Sequence, residues 1–498
     1  MENFYLYLVL LLLPFLFFLI KKNFYTHYNL PPHPLTLPII GHIHLMYLNR
    51  RQIRESPEIF FGNLLSKYPS KMVFLKLGSQ PILVVSCPYT IKKCFSSNLD
   101  LAFADRPKNL ASECLSYNYK VVSFVSKNQL WTDIRTFTKN ELFSEKCLRG
   151  FSVLCQEENI DLLRSLAHFT TKPVNLNSWF YLLGLNHTNR MVSGERFANY
   201  DDIEKEKKRL DETREMFRPN LPIPSICDFF PILRVFPFIE KGIKNEMEKI
   251  HEKRNEHLQG IMDEFLRKKA IADQSCNTCF KEKKSTFIET LYQKQESDAN
   301  FDDEMIKAHL LIMFVAGIET SALTMERVIL LLLDHPEVMK RLREEIDNQV
   351  GTERFLIDED LKTLPFLKNI VSETLRLYPP VKVILPHLAT NQCKVGEFDI
   401  PEGTTLLVNV WAMQRDPKVW DEPEKFKPER FENFESLEKN LKRIRYIPFG
   451  DGIRKCPGDN MALGWILLAV GSLVHCFDIE KVGMLTRCTP RTNLAHLF

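Results

Sequence analysis

A mainly α-helical fold with small peripheral β-sheets, preceded by one N-terminal transmembrane helix, is what three features of this 498-residue chain predict. Helical periodicity or helix-type charge patterning covers most of the chain, as in Glu204 to Phe217 and Ile239 to Lys269. One segment, from Asp302-Asp303-Glu304 to Asp334-His335-Pro336, reads as a single helix of about 30 residues. That is roughly 45 Å, enough to cross a whole domain. Strand signals are few and short. No Gly/Ser linker or composition break follows residue 41, so residues 41–498 read as one large domain.

The first element is an uninterrupted apolar run of 17 residues, Phe4 to Ile20, which includes Pro14. As a helix it covers about 26 Å, close to the thin bilayer of the endoplasmic reticulum. Acidic Glu2 precedes the run and no small-residue cleavage site follows it, so residues 1–22 read as an uncleaved anchor, not a signal peptide. Lys21 and Lys22 then leave the main domain in the cytosol by the positive-inside rule. Residues 23–40 contain Pro31-Pro32-His33-Pro34-Leu35-Thr36-Leu37-Pro38, a stiff extended hinge expected to hold the globule off the membrane.

Met72 to Leu77 and Pro81 to Val85 flank Gly78-Ser79-Gln80 as a hairpin, and Thr404 to Val410 reads as a further strand after the Pro401-Glu402-Gly403 turn. The acidic first turn at Asp302 suits the helix dipole of the long central segment, and Pro336 stops it. Asp459 opens an apolar run to Val474 that reads as another helix.

A net charge of +3 on 66 basic and 63 acidic side chains gives no reason to invoke nucleic acid. The 36 phenylalanines are consistent with a large apolar core. Twelve cysteines are expected as thiols in a reducing compartment. Cys276-x-x-Cys279 has metal-like spacing but no second pair, so residues 268–286 read as a solvated surface loop and not a zinc site.

Chemistry concentrates in Phe449-Gly450-Asp451-Gly452-Ile453-Arg454-Lys455-Cys456-Pro457-Gly458. The pattern F-x-x-G-x-R-x-C-x-G arises by chance in a chain this long with a probability on the order of 10⁻⁴. Gly452 and Gly458 permit a tight turn and close backbone approach, so that amide N–H groups can point at the Cys456 sulfur and stabilise it as an anion. The helix beginning at Asp459 adds its dipole, which favours a thiolate able to bind a metal. Phe449 would shield the sulfur, and Arg454 would pair with an anionic group of whatever is bound.

These residues resemble the haem-binding loop of the cytochrome P-450 superfamily of haem-thiolate monooxygenases. Four further elements agree with it in order and spacing. The resemblance implies the cytochrome P-450 fold, with haem b held through the Cys456 thiolate. Trp131-Thr132-Asp133-Ile134-Arg135 matches the family's W-x-x-x-R helix, whose spacing sets indole N–H and guanidinium on one face. Together with Arg454 and with His387 in Leu385-Pro386-His387, Trp131 and Arg135 would meet the haem propionates.

In Ala316-Gly317-Ile318-Glu319-Thr320-Ser321, Gly317 costs a helix about 1 kcal/mol relative to alanine, which suggests close packing or a locally opened turn. A small-residue packing site with a back-bonded threonine accounts for the same residues. The resemblance implies instead an oxygen-activation motif, in which an opened turn admits dioxygen and Glu319 and Thr320 relay protons. E-x-x-R at Glu373/Arg376 is weak alone, since Glu206/Arg209, Glu215/Arg218 and Glu264/Arg267 repeat it on solvated helices. Only the copy at Glu373 lies in an apolar helix and is followed by Pro428-Glu429-Arg430-Phe431. The resemblance implies that Glu373, Arg376 and Arg430 form a buried charge network.

Four positions depart from the family pattern. Beyond Cys476-Phe477-Asp478 the usual glycine-containing hairpin is poorly matched. Arg327 stands where tryptophan is usual, Lys382 brings a charge into a loop that normally lines the pocket, and Asn128-Gln129-Leu130 replaces a Gly-Asp pair.

Asn189 to Gly194, Phe229 to Leu233 and Ala316 to Met325 look most like plant microsomal enzymes that oxidise isoflavonoids, lignans and indolic compounds. The resemblance thus implies a single-pass endoplasmic reticulum enzyme that uses O2 to hydroxylate or otherwise oxidise an apolar aromatic plant metabolite such as an isoflavonoid. The chain has no G-x-G-x-x-G after a strand, so an NADPH-dependent flavoprotein reductase would supply the electrons. Two alternatives stay open: a reductase-independent haem-thiolate isomerase or dehydratase, and a catalytically weak haem-binding protein.

Overall fold

The structure is a computed structural model that describes residues 28–169, 172–218, 225–274, 286–434, 436, 442 and 445–498. Residues 1–22, read above as an anchor, and the Cys276/Cys279 pair lie outside the described residues. Helices dominate. In chain order, those that build the site are α1 (Pro57–Ser66), α2 (Ser97–Ala102), α3 (Gln129–Leu142), α4 (Glu145–His168), α5 (Leu176–Ser193), α6 (Ile203–Phe217), α7 (Pro237–Gln274), α8 (Asp303–Asp334), α9 (Pro336–Val350), α10 (Pro365–Leu377) and α11 (Asp459–Cys476).

Side-chain caps set several helix starts. Asn128 Oδ1 accepts the Trp131 N–H at 3.0 Å at the head of α3, and Asp302 Oδ1 accepts the Met305 N–H at 2.8 Å at the head of α8. α7 continues to Gln274, so residues 268–274 are helical and not loop. The reason is that no glycine or proline interrupts residues 268–274 and alanine, the best helix former, stands at 270 and 272.

Among the described residues two helices are long and apolar enough to cross a membrane, α8 and α11, but 61% and 67% of their apolar windows are buried inside the fold. They are core helices. α8 packs along α5, where a Cβ on Gly184 would sit 2.9 Å from Ile318 Cγ2, so glycine there lets the two helices close up.

Four strands form the main sheet: β1 (Met72–Leu77), β2 (Gln80–Val85), β3 (His387–Leu388) and β6 (Thr405–Val408), in the order β1-β2-β6-β3. β1 and β2 are the expected antiparallel hairpin, β2 and β6 run parallel, and β6 is antiparallel to β3. β6 is shorter than its sequence suggested, because Asn409 accepts the Ala412 N–H at 3.0 Å and caps a short helix. Between them, β4 (Cys393–Val395) and β5 (Phe398–Ile400) make a small ladder.

The described part of the hinge is docked, not free. Phe74 N–H donates to Pro32 O at 3.0 Å, Gly78 N–H to Ile40 O at 3.2 Å, and Lys76 N–H to His42 Nδ1 at 2.8 Å. Unpaired edge groups of β1 find their partners in this segment.

The C-terminal segment also folds. β7 (Phe477–Val482) and β8 (Leu485–Pro490) pair around Gly483 at φ +62°, so a glycine-containing hairpin is present after all. It is tied to the chain before α5 through Val174 and Thr486, and Arg491 holds Asp347 of α9 at 2.7 and 2.9 Å.

Candidate active site

Cys456 sits in a loop closed by its own backbone. The Cys456 N–H donates to Phe449 O at 3.0 Å and the Lys455 N–H to Gly452 O at 3.1 Å, while α11 starts three residues on. Cys456 is exposed, yet protein closes around its sulfur on the other sides, and that desolvation pushes the thiol up. The Gly458 amide, Arg135 and Lys455 pull the other way. A bound cation would deprotonate the thiol outright.

Around this loop lies a ring of cations. Arg135 donates to the carbonyl of Lys455, next to the cysteine. Arg454 donates to Ala104 O at 2.7 Å and Val125 O at 2.7 Å, and its guanidinium stacks over the buried Trp131 ring at 4.5 Å. Burial pushes the Arg454 pKa down to about 10, with Asp105 opposing and Arg135 adding to the fall. Arg106, absent from the sequence reading, is 6% exposed and donates to Leu385 O at 2.8 Å and Pro386 O at 2.6 Å. Burial and then Arg454 push its pKa down to about 9. His387 is buried, bonded through Nδ1 to Phe103 O at 2.9 Å, and held neutral at about 3 by burial and Arg106.

Among the described residues no carboxylate comes within ion-pair distance of Arg106, Arg135 or Arg454. Three guanidiniums are thus gathered beside an exposed cysteine with Asp105 acting on Arg106 and Arg454 only from beyond ion-pair distance, and a dianionic group that also carries a metal would complete the donor set. Haem b, with two propionates and an iron, fits it.

The acid–arginine network lies beneath. Arg376 Nε and Nη2 donate to the two Glu373 oxygens at 2.7 and 2.8 Å, with both side chains 0% exposed. Arg376 Nη1 reaches Gln414 O and Pro423 O, each at 2.8 Å, and Glu373 also accepts the Lys427 N–H at 3.0 Å. Arg430 Nε lies 3.3 Å from Glu373 Oε1. Gln414 joins this network to the cysteine loop: its amide donates to Leu375 O and Arg376 O, and its oxygen accepts the Ile447 N–H at 3.1 Å.

α8 supplies a different surface. It is unbroken through residues 316–321, and the Thr320 hydroxyl donates back to Ala316 O at 2.8 Å. The opened turn expected at Gly317 is therefore not present, and neither is close packing, since a Cβ there would meet no other atom within 4 Å. The intact backbone ladder and the back-bonded threonine satisfy the turn without opening it. Val315 and Ala316 are exposed halfway along this mostly apolar helix, which leaves an open face next to Thr320. Glu319 is paired with two arginines, Arg214 of α6 at 3.0 Å and Arg218 just beyond it at 2.7 Å.

Sequence reasoning missed Arg106, Gln414, Arg214 and the contacts of Arg218, because no local spacing marks them. Three of the departures from the family pattern are also explained. Lys382 turns to Glu58 of α1 at 2.6 Å, so its charge is spent on a buried carboxylate. Arg327 is exposed and stacks on Tyr378 at 4.6 Å. Asn128 acts as the cap of α3.

Residues 31–492 match the family model described as Cytochrome P450. Cytochrome P450 81D1 of Arabidopsis thaliana is 36% identical, the match covering 96% of this chain and 90% of that protein. An isoflavone 2'-hydroxylase of Glycyrrhiza echinata is 33% identical, over 91% of this chain and 87% of its own length. An isoflavone 3'-hydroxylase of Medicago truncatula is also 33% identical, with 91% and 87% covered. In structure, the chain is similar to a zebrafish cytochrome P450 bound to progesterone, with a TM-score of 0.72 at 23% identity, covering 87% of this chain and 99% of that one.

Proposed function

Since the chain belongs to the cytochrome P450 family, and is thus a monooxygenase using haem with a cysteine thiolate on iron, we propose that Cys456 is that thiolate and an apolar aromatic plant metabolite such as an isoflavonoid is the substrate. The observation that carries this reading is the exposed Cys456 in its closed loop, ringed by guanidiniums that lack a carboxylate.

Arg106, Arg135, Arg454, Trp131 and neutral His387 would hold the propionates by charge-assisted hydrogen bonds, while Phe449 closes the sulfur from the side. Haem held by a thiolate supplies the activation of dioxygen and the transfer of one oxygen atom. The chain's own residues then manage protons. The Thr320 hydroxyl, anchored to Ala316 O at 2.8 Å, presents lone pairs at the open face of α8. Glu319, on leaving Arg214 and Arg218, takes up a proton from solvent and passes it toward Thr320. The network of Glu373, Arg376 and Arg430, with Gln414, keeps the cysteine loop in place. Electrons come from an NADPH-dependent flavoprotein reductase.

Attachment to the endoplasmic reticulum membrane as a single-pass protein has support beyond the apolar N-terminus. Ile40 and Phe229 accept from adjacent residues, Gly78 and Ser79, so the segments holding them run side by side. Together they expose Ile39, Tyr47, Leu48, Ile232, Val235 and Phe238, a patch suited to a lipid surface.

The test is the carbon monoxide difference spectrum of reduced protein in microsomes, wild type and Cys456→Ala, followed by turnover of isoflavones with reductase and NADPH. A strongly red-shifted Soret band lost in the variant is the expected result. A band unaffected by the substitution would overturn the assignment of Cys456, and a thiolate band without turnover of any isoflavone would overturn the substrate class.

A further inference from the structure

We propose that Asp100 is a positioning residue for Cys456, its buried carboxylate clamping the Gly452-Ile453 turn of the cysteine loop; this rests on the reading of Cys456 as the thiolate ligand. Asp100 belongs to α2 and is 353 positions from the residue it holds. It is 8% exposed, and its Oδ2 accepts the Ile453 N–H at 2.9 Å. It also lies against the preceding glycine. A Cβ on Gly452 would lie 2.3 Å from Asp100 Oδ1 and 2.7 Å from Cγ, so no other residue leaves room for the carboxylate. Gly452 also has φ +73°, a conformation that side chains disfavour. The glycine of the cysteine pattern is thus required twice, once for the turn and once for the carboxylate seated on it.

The residues after Asp100 extend the clamp. Ala104 O accepts from Arg454 Nε at 2.7 Å, Phe103 O bonds His387 Nδ1 at 2.9 Å, and Ala102 O accepts the Thr390 N–H at 2.9 Å. Residues 100–104 therefore bracket the cysteine loop and the strand that carries His387. Inside the loop, the bonds from Cys456 to Phe449 and from Lys455 to Gly452 fix its shape. The Asp100 bond fixes its position relative to the rest of the fold. A buried amide that donates to a carboxylate oxygen is costly to leave unpaired, and removing Asp100 leaves the Ile453 N–H without this partner. The loop then samples positions in which the sulfur no longer reaches the iron.

The experiment follows the carbon monoxide difference band of the haem-loaded, full-length protein over time at equal haem content. It compares wild type, Asp100→Ala, Asp100→Asn and Glu158→Gln. Glu158 is a buried carboxylate bonded to Arg190, Arg196 and Tyr200, away from the cysteine loop, and serves as a control for general destabilisation. Conversion from the thiolate band to a neutral-ligand band should be about tenfold faster in Asp100→Ala, the effect of one buried hydrogen bond. Asp100→Asn, whose amide oxygen still accepts from Ile453, should convert within about threefold of wild type. Glu158→Gln should lower the melting temperature and leave conversion unchanged. If Asp100→Ala converts no faster than Glu158→Gln at matched melting temperature, the inference is overturned and the assignment of Cys456 stands. If wild type shows no thiolate band, the assignment of Cys456 fails, and the inference with it.

Discussion

Glu373 and Glu319 each face two arginines, and what surrounds them differs. Glu373 and Arg376 are 0% exposed, Arg430 is 10% exposed, and backbone carbonyls and an amide take up the remaining bonds. Around Glu319 exposure rises outward, from 14% for the carboxylate to 27% for Arg214 and 63% for Arg218. A buried ion pair is costly to break because the partner left behind stays desolvated and unpaired. An ion pair whose outer member stands in water is worth little and opens readily. The same side chains therefore make a fixed frame in one place and a releasable contact in the other, as suits the scaffold and the proton relay proposed for them.

The largest expected effect tests the frame. Arg376→Ala or Glu373→Gln should cost about 3–5 kcal/mol in urea unfolding, with haem content falling in parallel. A loss below about 1 kcal/mol would mean that the network behaves like a surface pair.

The next effect is on chemistry and not on stability. Thr320→Ala and Glu319→Gln should each leave unfolding within about 1 kcal/mol of wild type. Product formation should fall roughly 100-fold, the low end of a general acid–base contribution, while NADPH oxidation continues. Unchanged product per NADPH would refute the relay.

Acid sensitivity sharpens the contrast, since burial fixes the charge state of a neutral imidazole much as it fixes the ion pair at Glu373. His187 lies 2.7 Å from Cys155 Sγ, and burial holds its pKa at about 3, while His309 is held at about 4 by the same cause. The unfolded chain takes up a proton on each near pH 6.5. Between that pH and the folded value the unfolded state binds more protons. The stabilisation is therefore full above about pH 6.5 and is lost as pH falls, by about 1.4 kcal/mol per pH unit for each group. His187→Gln should flatten the stability slope between pH 6.5 and 4 by one proton, read from urea midpoints across that range.

The smallest effect is on the outermost partner. Arg218→Ala should change stability by no more than about 0.5 kcal/mol. Adding it to Glu319→Gln should change nothing more, if Arg218 acts through Glu319.

Much of this was legible before any coordinates. The hairpin at residues 72–85, the central helix and the helix after the cysteine loop follow from period and turn residues, which are local. The pair Glu373/Arg376 is three positions apart on one helix, so sequence could propose it. Other features were hidden by distance along the chain. Arg106 meets carbonyls 279 and 280 positions away, and Lys382 reads as a pocket charge until Glu58, 324 positions off, is found beside it. The cost of glycine in a helix leaves either close packing or an opened turn at Gly317, and the family resemblance implies the opened turn. The structure keeps the turn closed because the Thr320 hydroxyl and the helix ladder satisfy the backbone there.

The sequence by itself determined the helical class, the extent of the core helices and the glycine turns of the cysteine loop. Helical period, glycine turns and a thiol beside a helix start all act within about ten residues. Tertiary structure alone decided which acid each arginine meets, which cations stay without one, and which carboxylate seats the loop. Charges and hydrogen-bonding groups choose partners by distance and burial, and both arise only when remote segments pack together.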